Sequence, residues 1–129
     1  MLRTSHFFKR VNDTHGHLAG DEVLRGVSMV ASMTLRGTDV FGRFGGEEFI
    51  IALINTSLDG AMIIADRVRQ KIEDLTFDEI HQGLQVTVSI GVAAHVGNED
   101  PAQTLKRADD ALYRAKDTGR NRCVIAELT

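Results

Sequence analysis

The apolar positions of this chain divide into helical stripes and strand-length runs. Residues 2–7 read as a short strand, and "NDTHGHLAGD" reads as loop, being rich in Asn, Asp and Gly. After it, Leu24, Val27, Ala31 and Leu35 recur at helical spacing, with Asp21 near the N-cap and Gly37 as the stop. Val40–Phe44 and Phe49–Ile54 read as two strands joined by a short antiparallel hairpin. From Ser57 to Leu75, the stripe Ala61, Ile64, Ala65, Val68, Ile72 and Leu75 predicts a second helix.

Leu84, Val86, Val88, Ile90 and Val92 then alternate with Gln85, Thr87, Ser89 and Gly91, which predicts a strand with one face buried. Asp100 before Pro101 is a cap-and-N1 pair for a third helix. Its stripe is Leu105, Ala108, Leu112 and Ala115, and Gly119 ends it. Cys123–Ala126 reads as a last short strand. The order β-α-β-β-α-β-α-β predicts an α+β sandwich, one mostly antiparallel sheet with helices packed against it.

Composition narrows the function classes. At 129 residues, 43% hydrophobic and 26% charged, the chain is expected to form one domain. No apolar run reaches the roughly 18 residues of a membrane span, so no membrane contact is expected, and no secretory signal is visible. The single Cys123 fits a cytoplasmic, reducing setting. A formal net charge of −3 gives no reason to expect a nucleic-acid polymer as partner, so any phosphate handled here belongs to a small molecule.

Three clusters carry candidate chemistry. In "FGRFGGEEFIIALI", Gly45 and Gly46 permit close approach to the backbone at the hairpin tip, and Glu47 and Glu48 are expected to project from it. Adjacent carboxylates repel each other unless a hard cation joins them; the plainer reading is a turn followed by solvated acids. Asn12 and Asp21 flank a loop with two glycines, Gly16 and Gly20. A carboxylate and an amide can pair with the donor edge of guanine, but a capped loop explains the same residues. His15 and His17 in that loop are a weak metal pair. Lys116 and Arg120 lie at a helix C-terminus, where cations are favoured for the dipole alone, or where they reach a triphosphate.

Together these blocks resemble the GGDEF family, the diguanylate cyclases. The signature stands here as "RFGGEEF", beside "FFKRVNDTHGHLAGDEVL", "VTVSIGVA" and "LKRADDALYRAKDTGRNR", and the similarity covers roughly residues 7–127. The resemblance implies a nucleotidyl-cyclase, palm-like fold; the chain is expected to be a single GGDEF domain over residues 1–129, lacking the N-terminal sensory domain that the family usually carries. It implies condensation of two GTP into cyclic di-GMP with release of two pyrophosphates, by an antiparallel homodimer of such domains using Mg²⁺ or Mn²⁺. On that likeness Glu47 and Glu48 are catalytic residues and metal ligands, with Glu48 beside the attacking hydroxyl. Asn12 and Asp21 read guanine, Phe7 and Phe8 border the pocket with Gly45 and Gly46, and Lys116 and Arg120 hold the terminal phosphates. Arg36 and Asp39, in "RGTD", match the family's product-inhibition site for cyclic di-GMP, with Arg67 as a secondary arginine. There Arg36 is expected to stack on guanine and pair with phosphate, and Asp39 to accept from the guanine edge.

One departure stands out. Thr4, Ser5 and His6 occupy the places of the family's Asp-x-Asp metal motif, at the end of a shortened first strand. The expected protein is therefore a diguanylate cyclase of reduced activity. The alternative is a catalytically silent receptor for GTP or cyclic di-GMP.

Overall fold

In the computed structural model, residues 2–6, 17–43, 48–79 and 82–126 are described. They form the strands β1 (Leu2–His6), β2 (Val40–Arg43), β3 (Glu48–Ala52), β4 (Val88–Val92) and β5 (Cys123–Ile125), and the helices α1 (His17–Thr34), α2 (Leu58–Glu73) and α3 (Pro101–Asp117). The chain order is the predicted one. The strands lie side by side as β2-β3-β1-β4-β5. β1 runs antiparallel to both β3 and β4, β2 antiparallel to β3, and only β4 and β5 are parallel. A parallel pair needs a crossover, and α3 supplies it. Among the described residues no helix is long and apolar enough to cross a membrane.

Caps define two of the helices. The Ser57 hydroxyl accepts from the Gly60 amide at 3.1 Å and starts α2. The helix then buries Ala61, Ala65, Val68 and Ile72 along one stripe. At α3, Asp100 accepts from the Ala102 amide at 2.9 Å, and Gln103 accepts from the Asp100 amide at 3.0 Å. This reciprocal box, with Pro101 behind it, is worth on the order of 1 kcal/mol to the helix.

α1 differs from its prediction. It begins at His17, so Asp21 is in its second turn rather than at its N-cap. Burial of Val23, Val27 and Ala31, four residues apart, favours the longer helix over the turn chemistry of the residues before it. The helix ends at Thr34, whose hydroxyl donates to the Val30 carbonyl at 2.8 Å.

β4 also departs from expectation, because it is buried on both faces and starts only at Val88. Val88, Ile90 and Val92 join Val23, Val27, Phe49, Ile51, Val68 and Ile72 in the larger core, under α1 and α2. A wholly buried side chain such as Ile51 contributes about 1.5–3 kcal/mol. The opposite face, with Ser89 and Gly91, is covered by α3, whose Ala108 and Ala111 form a second, smaller core with Ala93 and Ala126. A methyl group on Gly91 would collide with the Ala108 carbonyl and the Leu112 amide. Helix backbone therefore lies directly on strand backbone.

Candidate active site

The ladder sets up one row across the sheet. Ser5 of β1 pairs with Glu48 of β3 on one side and with Ser89 of β4 on the other. Neighbouring strands lie about 4.8 Å apart, so the backbones at Glu48 and Ser89 are roughly 10 Å apart. Beyond Ser89 the row continues into the loop after α3, where the Asn121 amide donates to the Ser89 hydroxyl at 3.2 Å. The Ile90 amide donates to the Arg122 carbonyl at 2.9 Å and fixes the same loop.

Glu48 is half-buried at the first position of β3. The expectation that it projects from a hairpin tip is corrected. It belongs to the ladder, because β1 extends far enough to pair with it.

The basic end of the row comes from α3. Lys116 is half-buried in the last turn of that helix. The Thr118 amide donates to the Arg114 carbonyl at 3.0 Å, and the Arg120 amide to the Ala115 carbonyl at 2.8 Å. Gly119, Arg120 and Asn121 then follow with φ of 129°, 65° and 46°, three consecutive residues in the left-handed half of the map. The turn reverses the chain into β5 and brings Arg120 next to the row. Two cationic residues at this end of the row, Lys116 and Arg120, suit an anionic group.

Asp21 is exposed on α1, without a hydrogen-bond partner among the described residues. Phe7, Phe8, Asn12, Gly45, Gly46 and Glu47 lie outside the described residues, as does His15. Among the described residues no three His, Cys, Asp or Glu side chains gather as a metal cluster. The carboxylate of Glu48 is the kind of oxygen donor that Mg²⁺ or Mn²⁺ takes. Thr4 stands in register with Phe49 and Ile90, and Ser5 with Glu48, so these register positions of β1 hold hydroxyl residues and no acid. Among the described residues Glu48 is the one carboxylate of this row, so a hard divalent cation held here would need further oxygen donors.

A second constellation lies after α1. Asp39 accepts at Oδ2 from the Arg36 amide (2.9 Å) and from Arg36 Nε (3.3 Å), and at Oδ1 from Arg36 Nη2 (3.1 Å). Arg36 Nη2 also donates to the Ile54 carbonyl at 2.8 Å and to Thr56 Oγ1 at 2.6 Å. The Asp39 side chain has no exposed surface, whereas that of Arg36 is 51% exposed. The hydrogen bonds from the Arg36 side chain hold the Asp39 carboxyl below its ordinary pKa against the opposing effect of burial. Both Asp39 oxygens are thus occupied within the chain, where the sequence suggested an acceptor for guanine. Arg67 is exposed on α2 and has no partner among the described residues.

Three positions escaped the sequence reading: Ser89, Asn121 and Thr56. "GRN" after the α3 cap was the available signal, since Asn tolerates the left-handed region better than most residues.

Comparison with known proteins places this geometry. The family model described as "Diguanylate cyclase, GGDEF domain" matches residues 1–122. Diguanylate cyclase A of Treponema denticola is 42% identical over 122 residues, which cover 94% of this chain and 33% of that protein. Response regulator PleD of Caulobacter vibrioides is 45% identical over 121 residues, 92% of this chain and 27% of that protein. The chain thus spans about a third or less of these curated relatives. Among solved structures, the active GGEEF domain of a diguanylate cyclase from Vibrio cholerae matches with a TM-score of 0.91 at 37% identity, covering 99% of this chain and 82% of that one. The GGDEF domain of DgcB from Caulobacter crescentus, in complex with c-di-GMP, matches with a TM-score of 0.92 at 30% identity, covering 98% of this chain and 77% of that one.

Proposed function

The chain belongs to the diguanylate cyclase GGDEF-domain family, and we propose that it condenses two GTP into cyclic di-GMP and two pyrophosphates. The observation that carries this reading is the row Glu48–Ser5–Ser89–Asn121, which sets a carboxylate and a cationic loop at one end of the sheet. In the reaction, a ribose 3′-oxygen bonds to the α-phosphorus of the other GTP as the bond to pyrophosphate breaks. The hydroxyl proton leaves to a base, and Glu48 is the carboxylate assigned to receive it. Lys116 and Arg120 hold the terminal phosphates and take up charge on the leaving pyrophosphate. Asn12 and Asp21 select guanine, Gly45 and Gly46 leave room for the nucleotide, and Phe7 and Phe8 wall its pocket. Glu47 and Glu48 would hold Mg²⁺ or Mn²⁺, which when bound supplies neutralising charge at the phosphates.

Two such linkages close a ring only if each nucleotide attacks the other. The catalytic unit is therefore an antiparallel pair of these domains, each presenting one GTP. Cyclic di-GMP returns to Arg36, which Asp39 holds in place, and to Arg67 as an inhibitor, and the setting is the cytoplasm, where GTP is available.

A second reading, a silent receptor for GTP or cyclic di-GMP, is favoured by Thr4, Ser5 and His6, which bring no carboxylate to β1. Calorimetry with GTP and ATP, followed by a product assay in Mg²⁺ and in Mn²⁺, separates the two. Cyclic di-GMP and pyrophosphate should form, and Glu48→Gln should stop them. GTP binding without product in either metal would leave the receptor. Asp21→Ala should cost about 1–3 kcal/mol of GTP affinity, and equal affinity for ATP in the parent would defeat the guanine assignment.

A further inference from the structure

The turn that carries Arg120 adopts a backbone that L-residues avoid. Gly119 takes φ 129° freely, but Arg120 at 65° and Asn121 at 46° do not. Such a backbone persists where its surroundings over-determine it. The restraint here comes from α2. Asn121 Oδ1 accepts from Arg69 Nη1 at 3.0 Å, and Asn121 Nδ2 donates to Glu73 Oε2. Arg69 is itself held, since its Nε donates to Asp66 Oδ1 at 2.8 Å and its side chain is only 15% exposed. On its other side the Asn121 amide is bound by Ser89. The Arg120 carbonyl accepts from Arg122 Nε at 3.0 Å, and its amide is bound to Ala115, so both peptide groups flanking Arg120 are fixed.

We propose that Asn121 is a positioning residue: gripped by Arg69 and Glu73 of α2, it sets the direction from which Arg120 meets the terminal phosphates of the nucleotide. The proposal rests on the cyclase reading only in taking Arg120 as a phosphate ligand. Asn suits the position twice over. It tolerates the left-handed backbone, and its amide offers an acceptor to the arginine and a donor to the glutamate at once. Aspartate would keep the first bond and place a like charge on Glu73. Glycine would keep the backbone and lose both.

The test compares GTP with GMP, which shares the base, ribose and α-phosphate but lacks the phosphates assigned to Arg120. Affinities are measured by calorimetry on the whole chain. Asn121→Gly, Asn121→Asp and Arg69→Gln should each weaken GTP binding by about tenfold, the scale of one charge-assisted hydrogen bond. GMP binding should stay within about twofold, an ordinary difference for a remote change. In an Arg120→Ala background the same three substitutions should change nothing further. Arg69→Gln leaves the loop sequence intact, and it carries the test if the Asn121 variants melt too low. Equal losses for GTP and GMP, or losses that persist without Arg120, would overturn the proposal. A parent in which Arg120→Ala weakens GTP and Asn121→Gly does not would overturn the positioning role alone. If Arg120→Ala leaves GTP affinity intact, the phosphate assignment falls and the positioning role falls with it.

Discussion

Arg36 and Asp39 bind each other through both carboxylate oxygens, and the same arginine is tied at Nη2 to the Ile54 carbonyl and Thr56. The guanidinium is thereby oriented before any ligand arrives, with about half of its side chain still exposed. Arg36 Nη1, with no partner among the described residues, is left to donate to a phosphodiester oxygen. Arg36→Ala should therefore abolish cyclic di-GMP binding and leave GTP affinity nearly unchanged. Calorimetry with each ligand checks this. Loss of both ligands together would mean that the two sites are not separate.

Thr4 stands in register with Phe49, two residues along from Glu47. A hydroxyl is a weak, neutral ligand for Mg²⁺, which favours carboxylate oxygens. Thr4→Asp should raise Mg²⁺-dependent cyclic di-GMP formation by at least about tenfold, the lower bound seen for losing even an outer metal partner. Thr4→Asn, of similar size but uncharged, should restore little. The parent should also gain more from Mn²⁺ than Thr4→Asp does. Unchanged turnover in Thr4→Asp would show that position 4 does not reach the metals.

At Gly91 there is no side chain to yield, because the atoms that a methyl group would strike belong to the α3 backbone. Gly91→Ala should destabilise the fold by about 3 kcal/mol or more, the upper end for overpacking. Gly42, with nothing within 4 Å of an added Cβ, is the control. Gly42→Ala should stay within about 0.5 kcal/mol. Denaturant midpoints at constant slope measure both. A mild Gly91→Ala would contradict the close seat of α3 on β4.

The Glu99 carboxylate is pulled from its ordinary 4.5 to about 2, first by its hydrogen bonds from Arg107 and then by the Thr104 hydroxyl at 2.7 Å. Its folded pKa lies below its unfolded one, so its stabilising contribution is complete above the unfolded value and disappears as pH falls through about 2. Melting curves of the parent and of Glu99→Gln should differ by a constant amount down to about pH 5 and converge towards about pH 2. A gap that survives at the acid end would assign the stabilisation to some other group.

The sequence shows much of this fold because caps and stripes are local. Ser57, Asp100 and Pro101 mark the starts of α2 and α3 without reference to anything distant. Its failures have equally specific causes. Ser89 and Gly91 read as a wetted face because small residues alternate with large ones there, yet the same alternation lets a helix approach a strand closely. His17 to Gly20 read as loop because turn-forming residues precede a stripe whose burial decides the outcome. Glu48, taken for a tip residue, is drawn into the ladder by its pairing with Ser5. The grip of Arg69 on Asn121 joins residues 52 positions apart, and no local pattern records such a pair. Arg36 and Asp39, three apart, were visible as a pair, but Ile54 and Thr56 as their other partners were not.

The bare contact between α3 and β4 at Gly91 also governs how the end of the sheet beside Lys116 can move. Side chains between a helix and a sheet act as a cushion, since they change rotamer and let the helix shift by fractions of an ångström. Here the Ala108 and Leu112 backbones rest on the strand itself, and that cushion is absent. Travel of α3 along β4 would drive two main chains into each other. The helix is thus a fixed mount with little compliance, and Lys116 in its last turn shares that stiffness. Any adjustment at this end falls to the side chains of Lys116 and Arg120, because the turn into β5 is itself held at Asn121 by Ser89 and Arg69.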